Sequence, residues 1–194
     1  MKSRKSASRH GEKFRTPRAS RALERGGTAQ RESSARLGGV TLFATATPIS
    51  NTTVLTILSN NLELLMSAAE FPIRTIVADE TYLETPPDFV RDAIMTDPVL
   101  SPSNYHADIF DCDDYVQYLK TKLSLYAASN HLPAPLAVGY ICTTNHAFTL
   151  CIGPNAQLFL INTQSDDHAI TGDRETFRQF LSLRPDNRIT CIYI

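Results

Sequence analysis

The sequence predicts an α+β domain in which N-terminal helices pack on a mostly antiparallel sheet. Apolar residues recur with helical spacing at Val54, Ile57, Leu58, Leu62, Leu64 and Leu65, and again at Cys112, Tyr115, Val116, Leu119, Leu123 and Tyr126. From Leu136 onward, short apolar runs rich in β-branched and aromatic residues alternate with turn residues instead. A chain of 194 residues, 42% of them apolar, can bury one such core.

The elements follow in order. Ser50 or Asn51 is a side-chain cap for a helix over Asn51–Glu70. Ile73–Tyr82 reads as a strand, and Pro86–Met95 as a short helix whose start suits proline. A loop containing Pro98 and Pro102 leads to the most regular helix, Asp111–Ala128. Strands are expected at Leu136–Cys142, His146–Ile152, Gln157–Asn162 and Arg188–Ile194, with a last helix at Asp173–Leu183.

Charge divides the chain. Residues 1–38 carry eleven Lys or Arg against three Glu, and residues 39–194 carry eight against seventeen acids. With only Phe14, Leu23 and Leu37 as large apolar residues, the tail of residues 1–38 cannot offset the entropy of ordering and is expected to be disordered. It offers a basic arm for nucleic acid or an anionic surface. Without aromatic residues to stack on bases, a solvated or processed leader is the favoured account. Its Arg and Ser content suits a mitochondrial presequence, but Glu12, Glu24 and Glu32 do not. No apolar segment follows the basic residues, and no run approaches the ~18 residues of a membrane span, so an intracellular, cytoplasmic setting is expected. Cys112, Cys142, Cys151 and Cys191 follow no metal-ligand spacing and read as free thiols.

Cys112 lies in the first turn of its helix, where unpaired N–H groups and the helix dipole favour a thiolate and could later hold an oxyanion. Asp111, Asp113 and Asp114 oppose that charge, so an imidazolium is needed nearby. If the strands on either side of residues 153–156 form a hairpin with Ile152 opposite Ala156 or Gln157, His146 lies opposite Asn162 or Thr163. Asn162 could then orient the imidazole. The other three cysteines sit in apolar strands and read as core. His10, His131 and His168 read as solvated, and His106 is undecided. Asn104 and Tyr105 are the nearest candidates for a second oxyanion donor after the Cys112 N–H, with neither preferred.

Four short blocks resemble a known family: Asp111-Cys112-Asp113-Asp114-Tyr115, Val138-Gly139-Tyr140, His146-Ala147-Phe148, and Leu160 through Asp166. They are similar to the papain-like cysteine protease domain at the C-terminus of the fairy-ring mushroom agglutinin and its bacterial and phage relatives, over about residues 74–166. The resemblance implies a compact papain-like fold and a thiol protease with a catalytic triad: Cys112 as nucleophile, His146 as general base and Asn162 in a position where the family commonly has Glu. It also implies a protein or peptide substrate, calcium dependence with Asp113 and Asp114 as metal ligands, and a contact near the site from Gln164. Helix capping by itself also explains the three aspartates. No other cofactor is required. Two alternatives use the same residues: an amidase, deamidase or acyltransferase, and a degenerate papain-like domain with a binding or structural role.

Overall fold

The computed structural model describes residues 43, 46, 48–66, 73–165, 168–170 and 174–194. The expected tail of residues 1–38 lies outside them. The described residues form an α+β fold, as the succession of periodicities predicts.

Strand β1 (Pro48–Ser50) leads directly into helix α1 (Asn51–Met66). Ser50 ends the strand and caps the helix, its Oγ accepting the Thr53 N–H at 3.1 Å. Val54, Ile57, Leu58 and Leu62 form the buried stripe. The helix was expected to reach Glu70, but residues 67–72 lie outside the described residues.

The expected strand Ile73–Tyr82 is two strands in two sheets, β2 (Arg74–Ile76) and β3 (Thr81–Leu83), the latter antiparallel to β1. The chain bends at Asp79 and Glu80. There the Asp79 N–H donates to Tyr82 Oη at 2.7 Å, and the Glu80 carbonyl accepts from the Asn51 N–H at 2.9 Å. These bonds satisfy the bend's backbone without a ladder partner, which local strand propensity cannot reveal.

Helix α2 (Pro87–Met95) starts at a proline whose missing N–H costs nothing there, and it buries Phe89, Val90, Ala93 and Ile94. Two short 3₁₀ turns follow, Pro98–Leu100 and Pro102–Asn104. Helix α3 (Cys112–Ser129) buries Tyr115, Val116, Leu119, Leu123 and Ala127. Its start is set by a capping box between Asp111 and Asp114.

The main sheet has the order β2-β8-β4-β5-β6-β7, with β4 (Val138–Thr143), β5 (Ala147–Gly153), β6 (Gln157–Ile161), β7 (His168–Ile170) and β8 (Ile189–Tyr193). Only β2 with β8 is parallel among these pairings. Every residue of β5 is buried, because both faces of the sheet are covered. Phe148, Leu150 and Ile152 join the α1 stripe and Phe177 of α4 (Arg174–Phe180). Cys151, with Val138 and Phe159, packs among residues of α2 and α3 on the other face. Each fully buried Leu or Ile in such a layer contributes about 1.5–3 kcal/mol, so β5 anchors both cores.

Gly139 lets β4 approach the chain's end. A Cβ there would lie 1.9 Å from the Tyr193 carbonyl oxygen. His168, expected in a loop, begins β7, with its backbone opposite Ile161. Helix α4 ends at Phe180 rather than Leu183, as Ser182 takes a positive φ of 52° and Asn187 Nδ2 donates to the Leu181 and Ser182 carbonyls. No described helix is long and apolar enough to cross a membrane.

Candidate functional site

Three elements converge where α3 begins. Asp111 accepts the Asp113 N–H at 3.4 Å, and Asp114 Oδ2 accepts the Asp111 N–H at 3.3 Å, so both carboxylates are engaged in starting the helix. Cys112 follows as the first helical residue, half-buried against β5, and the Ala147 N–H hydrogen-bonds its thiol. Burial pushes the Cys112 thiol up. The Ala147 N–H works against that, but the charges of Asp111 and Asp113 add to it, and the thiol stays above its ordinary value. The carboxylates thus oppose the effect of the helix start, as their place in the sequence leads one to expect, and the Cys112 thiol is not depressed.

His146 closes a tight turn between β4 and β5. Its N–H donates to Thr143 Oγ1 at 3.1 Å, and its carbonyl accepts the Thr143 N–H at 2.8 Å. The ring packs edge-on against Phe148, with centroids 4.6 Å apart. Its Nε2 lies 3.2 Å from Asn162 Oδ1, which also accepts the Gln164 N–H at 3.2 Å. The β5–β6 ladder pairs Ile152 with Leu158, later than expected, so His146 and Asn162 meet as diagonal neighbours rather than directly across.

Gln164 leads from this cluster to a feature that sequence reasoning missed, a groove of about 430 Å³. One wall comes from the end of α2 and the first 3₁₀ turn, with Ile94, Asp97, Pro98 and Leu100; the other is Thr163, Gln164 and Ser165. Gln164 Nε2 is buried and has no hydrogen-bond partner. The first wall is fastened from behind. Asp97 accepts hydrogen bonds from Lys122 Nζ, from Tyr118 Oη at 3.1 Å and from the Val99 N–H at 2.8 Å. Tyr115 Oη donates to the Ser101 carbonyl at 2.7 Å. Asn104 is part of the same bracing, its Nδ2 bonded to the carbonyls of Pro98 and Val99, and Tyr105 is exposed. Proline spacing marked the region only as a loop.

The acidic cluster does not fit a calcium ion. Asp111, Cys112 and Asp113 place one ligand atom each within 4.8 Å of one another, but one of the three is sulfur. Asp114 is turned back onto the Asp111 backbone, and Asp111 and Asp113 share a hydrogen bond. Calcium requires six to eight oxygens.

No family model matches the chain, and no curated protein matches it. Solved structures share its fold. PSL1a in its complex with E64 aligns with a TM-score of 0.56 at 15% identity, over 76% of this chain and 50% of that one. The lectin of Polyporus squamosus, bound to the human-type influenza-binding epitope Neu5Acα2-6Galβ1-4GlcNAc, aligns with a TM-score of 0.54 at 14% identity, over 76% of this chain and 49% of that one. The chain thus spans about half the length of each. These findings correct the expectation of a papain-like cysteine protease domain and of a thiol hydrolase acting on a peptide. The likeness is to PSL1a and to a chain that is a lectin, and the thiol that should be the nucleophile is raised rather than depressed. What the comparisons establish for this chain is the α+β fold that it shares with them.

Proposed function

We propose that this chain is a binding domain whose ligand is a carbohydrate, held in the groove between the end of α2 and residues 163–165. The observation that carries the reading is the buried, unpartnered Gln164 Nε2 in the groove lining. An orphaned amide donor costs about 1–3 kcal/mol, and a ligand oxygen would recover that cost where the Gln164 side chain turns its amide into the groove. The surroundings suit a sugar: Ile94, Pro98 and Leu100 offer apolar surface for ring C–H groups, and the polar residues Thr96, Ser101 and Ser165 also line the groove. The volume is within the range of small-ligand sites. Further support comes from the shared fold with a lectin whose ligand is a sialylated trisaccharide.

The test is titration calorimetry of the full chain with Neu5Acα2-6Galβ1-4GlcNAc and with its component monosaccharides, repeated with Gln164→Leu. Saturable binding that weakens at least about tenfold in the variant is expected, as loss of one buried hydrogen bond implies. Incubation with E64, the compound in the PSL1a complex, supplies the opposing arm. Absence of sugar binding, or a covalent E64 adduct on Cys112, overturns the reading.

A further inference from the structure

Cys142 and Cys191 belong to no site described so far. They stand directly opposite each other in the antiparallel ladder of β4 and β8. Both are half-buried free thiols, hydrogen-bonded to one another. The neighbouring pair on the same face, Tyr140 and Tyr193, is stacked with centroids 5.3 Å apart and planes 9° from parallel, which keeps the two strands in register beside the cysteines. Lys120 lies over the Tyr193 ring and donates to the Val138 carbonyl at 3.0 Å, tying α3 to the same face. On the far side, Thr190 Oγ1 donates to the Cys142 carbonyl at 3.2 Å, next to a register shift after Cys142.

We propose that Cys142 and Cys191 form a redox-active dithiol that closes to a cross-strand disulfide. Directly opposed residues of an antiparallel ladder have Cα atoms about 4.5–5.5 Å apart, inside the roughly 4.4–6.8 Å that a disulfide spans, so closure needs no strand movement. The oxidant is a low-molecular-weight disulfide. One protein thiolate attacks it, forming a mixed disulfide and releasing one small thiolate. The second protein thiol gives its proton to water and attacks the protein sulfur of that mixed disulfide, releasing the second small thiol. Two protein thiols and one small disulfide become one protein disulfide and two small thiols. Burial, the neighbouring Cys191 and the charges of Asp113 and Cys112 hold the Cys142 thiol well above the ordinary range, so the exchange accelerates with rising pH. Cys151, fully buried on β5, is the internal control.

The experiment incubates the full chain with oxidised glutathione, with and without urea, blocks remaining thiols with iodoacetamide, and maps peptides by mass spectrometry. The expected result is loss of alkylation at Cys142 and Cys191 together, through a peptide pair linked between them. This link should form faster in the native chain than in the urea-unfolded one, while Cys151 stays reduced. Cys142→Ser and Cys191→Ser should each leave only a mixed disulfide on the remaining partner. Full alkylation of both residues after native oxidation overturns the proposal, as does a link from Cys112 to either, or a link that forms no faster in the native chain.

Discussion

Replacing Lys122 with Met tests how the groove wall is held. Asp97 is only 5% exposed and depends on Lys122, Tyr118 and the Val99 N–H. Removing one partner of a fully buried ion pair costs about 3–5 kcal/mol, because the charge left behind is uncompensated. The Lys122 side chain is 34% exposed, so water already screens part of the attraction, and two neutral donors remain on Asp97. The discounted expectation is a loss of about 2 kcal/mol near pH 7. The pH dependence separates this account from a simple packing defect. Burial acts to raise the Asp97 carboxyl, but the bonds from Lys122, Val99 and Tyr118 outweigh it and hold the group below its ordinary 3.8. A carboxyl depressed by folding contributes stability that is fully present above the ordinary value and is lost as pH falls through the folded value. Without the ammonium, burial is opposed only by the Val99 and Tyr118 bonds, and the variant's carboxyl protonates at higher pH, relieving its cost. The difference between the two proteins should therefore be largest near neutrality and shrink below about pH 4. Urea unfolding followed by circular dichroism measures it: a loss of 2 kcal/mol moves the midpoint by about 1 M at an ordinary slope. An equal shift at pH 7 and at about pH 3.5, or no shift at pH 7, would refute the reasoning.

Three further outcomes are expected. Gly139→Ala should destabilise the chain by more than the usual 1–3 kcal/mol of overpacking, since the new Cβ meets backbone atoms of Tyr193 and Ile194 that no rotamer change can move; an unchanged urea midpoint would show that β8 can shift. Iodoacetamide should label Cys112 with a midpoint above the ordinary thiol value of 9.0, and Asp113→Asn should move that midpoint down by removing a charge that raises it; half-maximal labelling below pH 7 would reveal an activated thiolate and reopen the hydrolase reading. Asn162→Ala should cost about 1–2 kcal/mol by releasing both the His146 ring and the Gln164 N–H, and should weaken sugar binding through Gln164; unchanged affinity by calorimetry would separate this cluster from the groove.

Much of the architecture is legible in the residue pattern. The α3 stripe from Tyr115 to Ala127, the proline-led start of α2, and the runs that become β4, β5, β6 and β8 are local signals of periodicity and capping, and the folded chain keeps them. The helix-then-sheet order carries the α+β class with it. Where sequence and structure part, the deciding bonds run between distant residues. The run Ile73–Tyr82 breaks because Glu80 bonds Asn51, and because β2 lies against β8 more than a hundred positions away.

The same division applies to the site. By itself the sequence placed Cys112 at a helix start and put His146 and Asn162 near each other, because capping residues and hairpin spacing are local. Only the tertiary structure decided what surrounds them: the burial that, with the neighbouring carboxylates, raises the Cys112 thiol, and the groove beyond Gln164. Electrostatics at a thiol depends on desolvation and on every charge within a few ångströms, and a groove exists only between elements that meet after folding. A motif of four short blocks contains neither quantity.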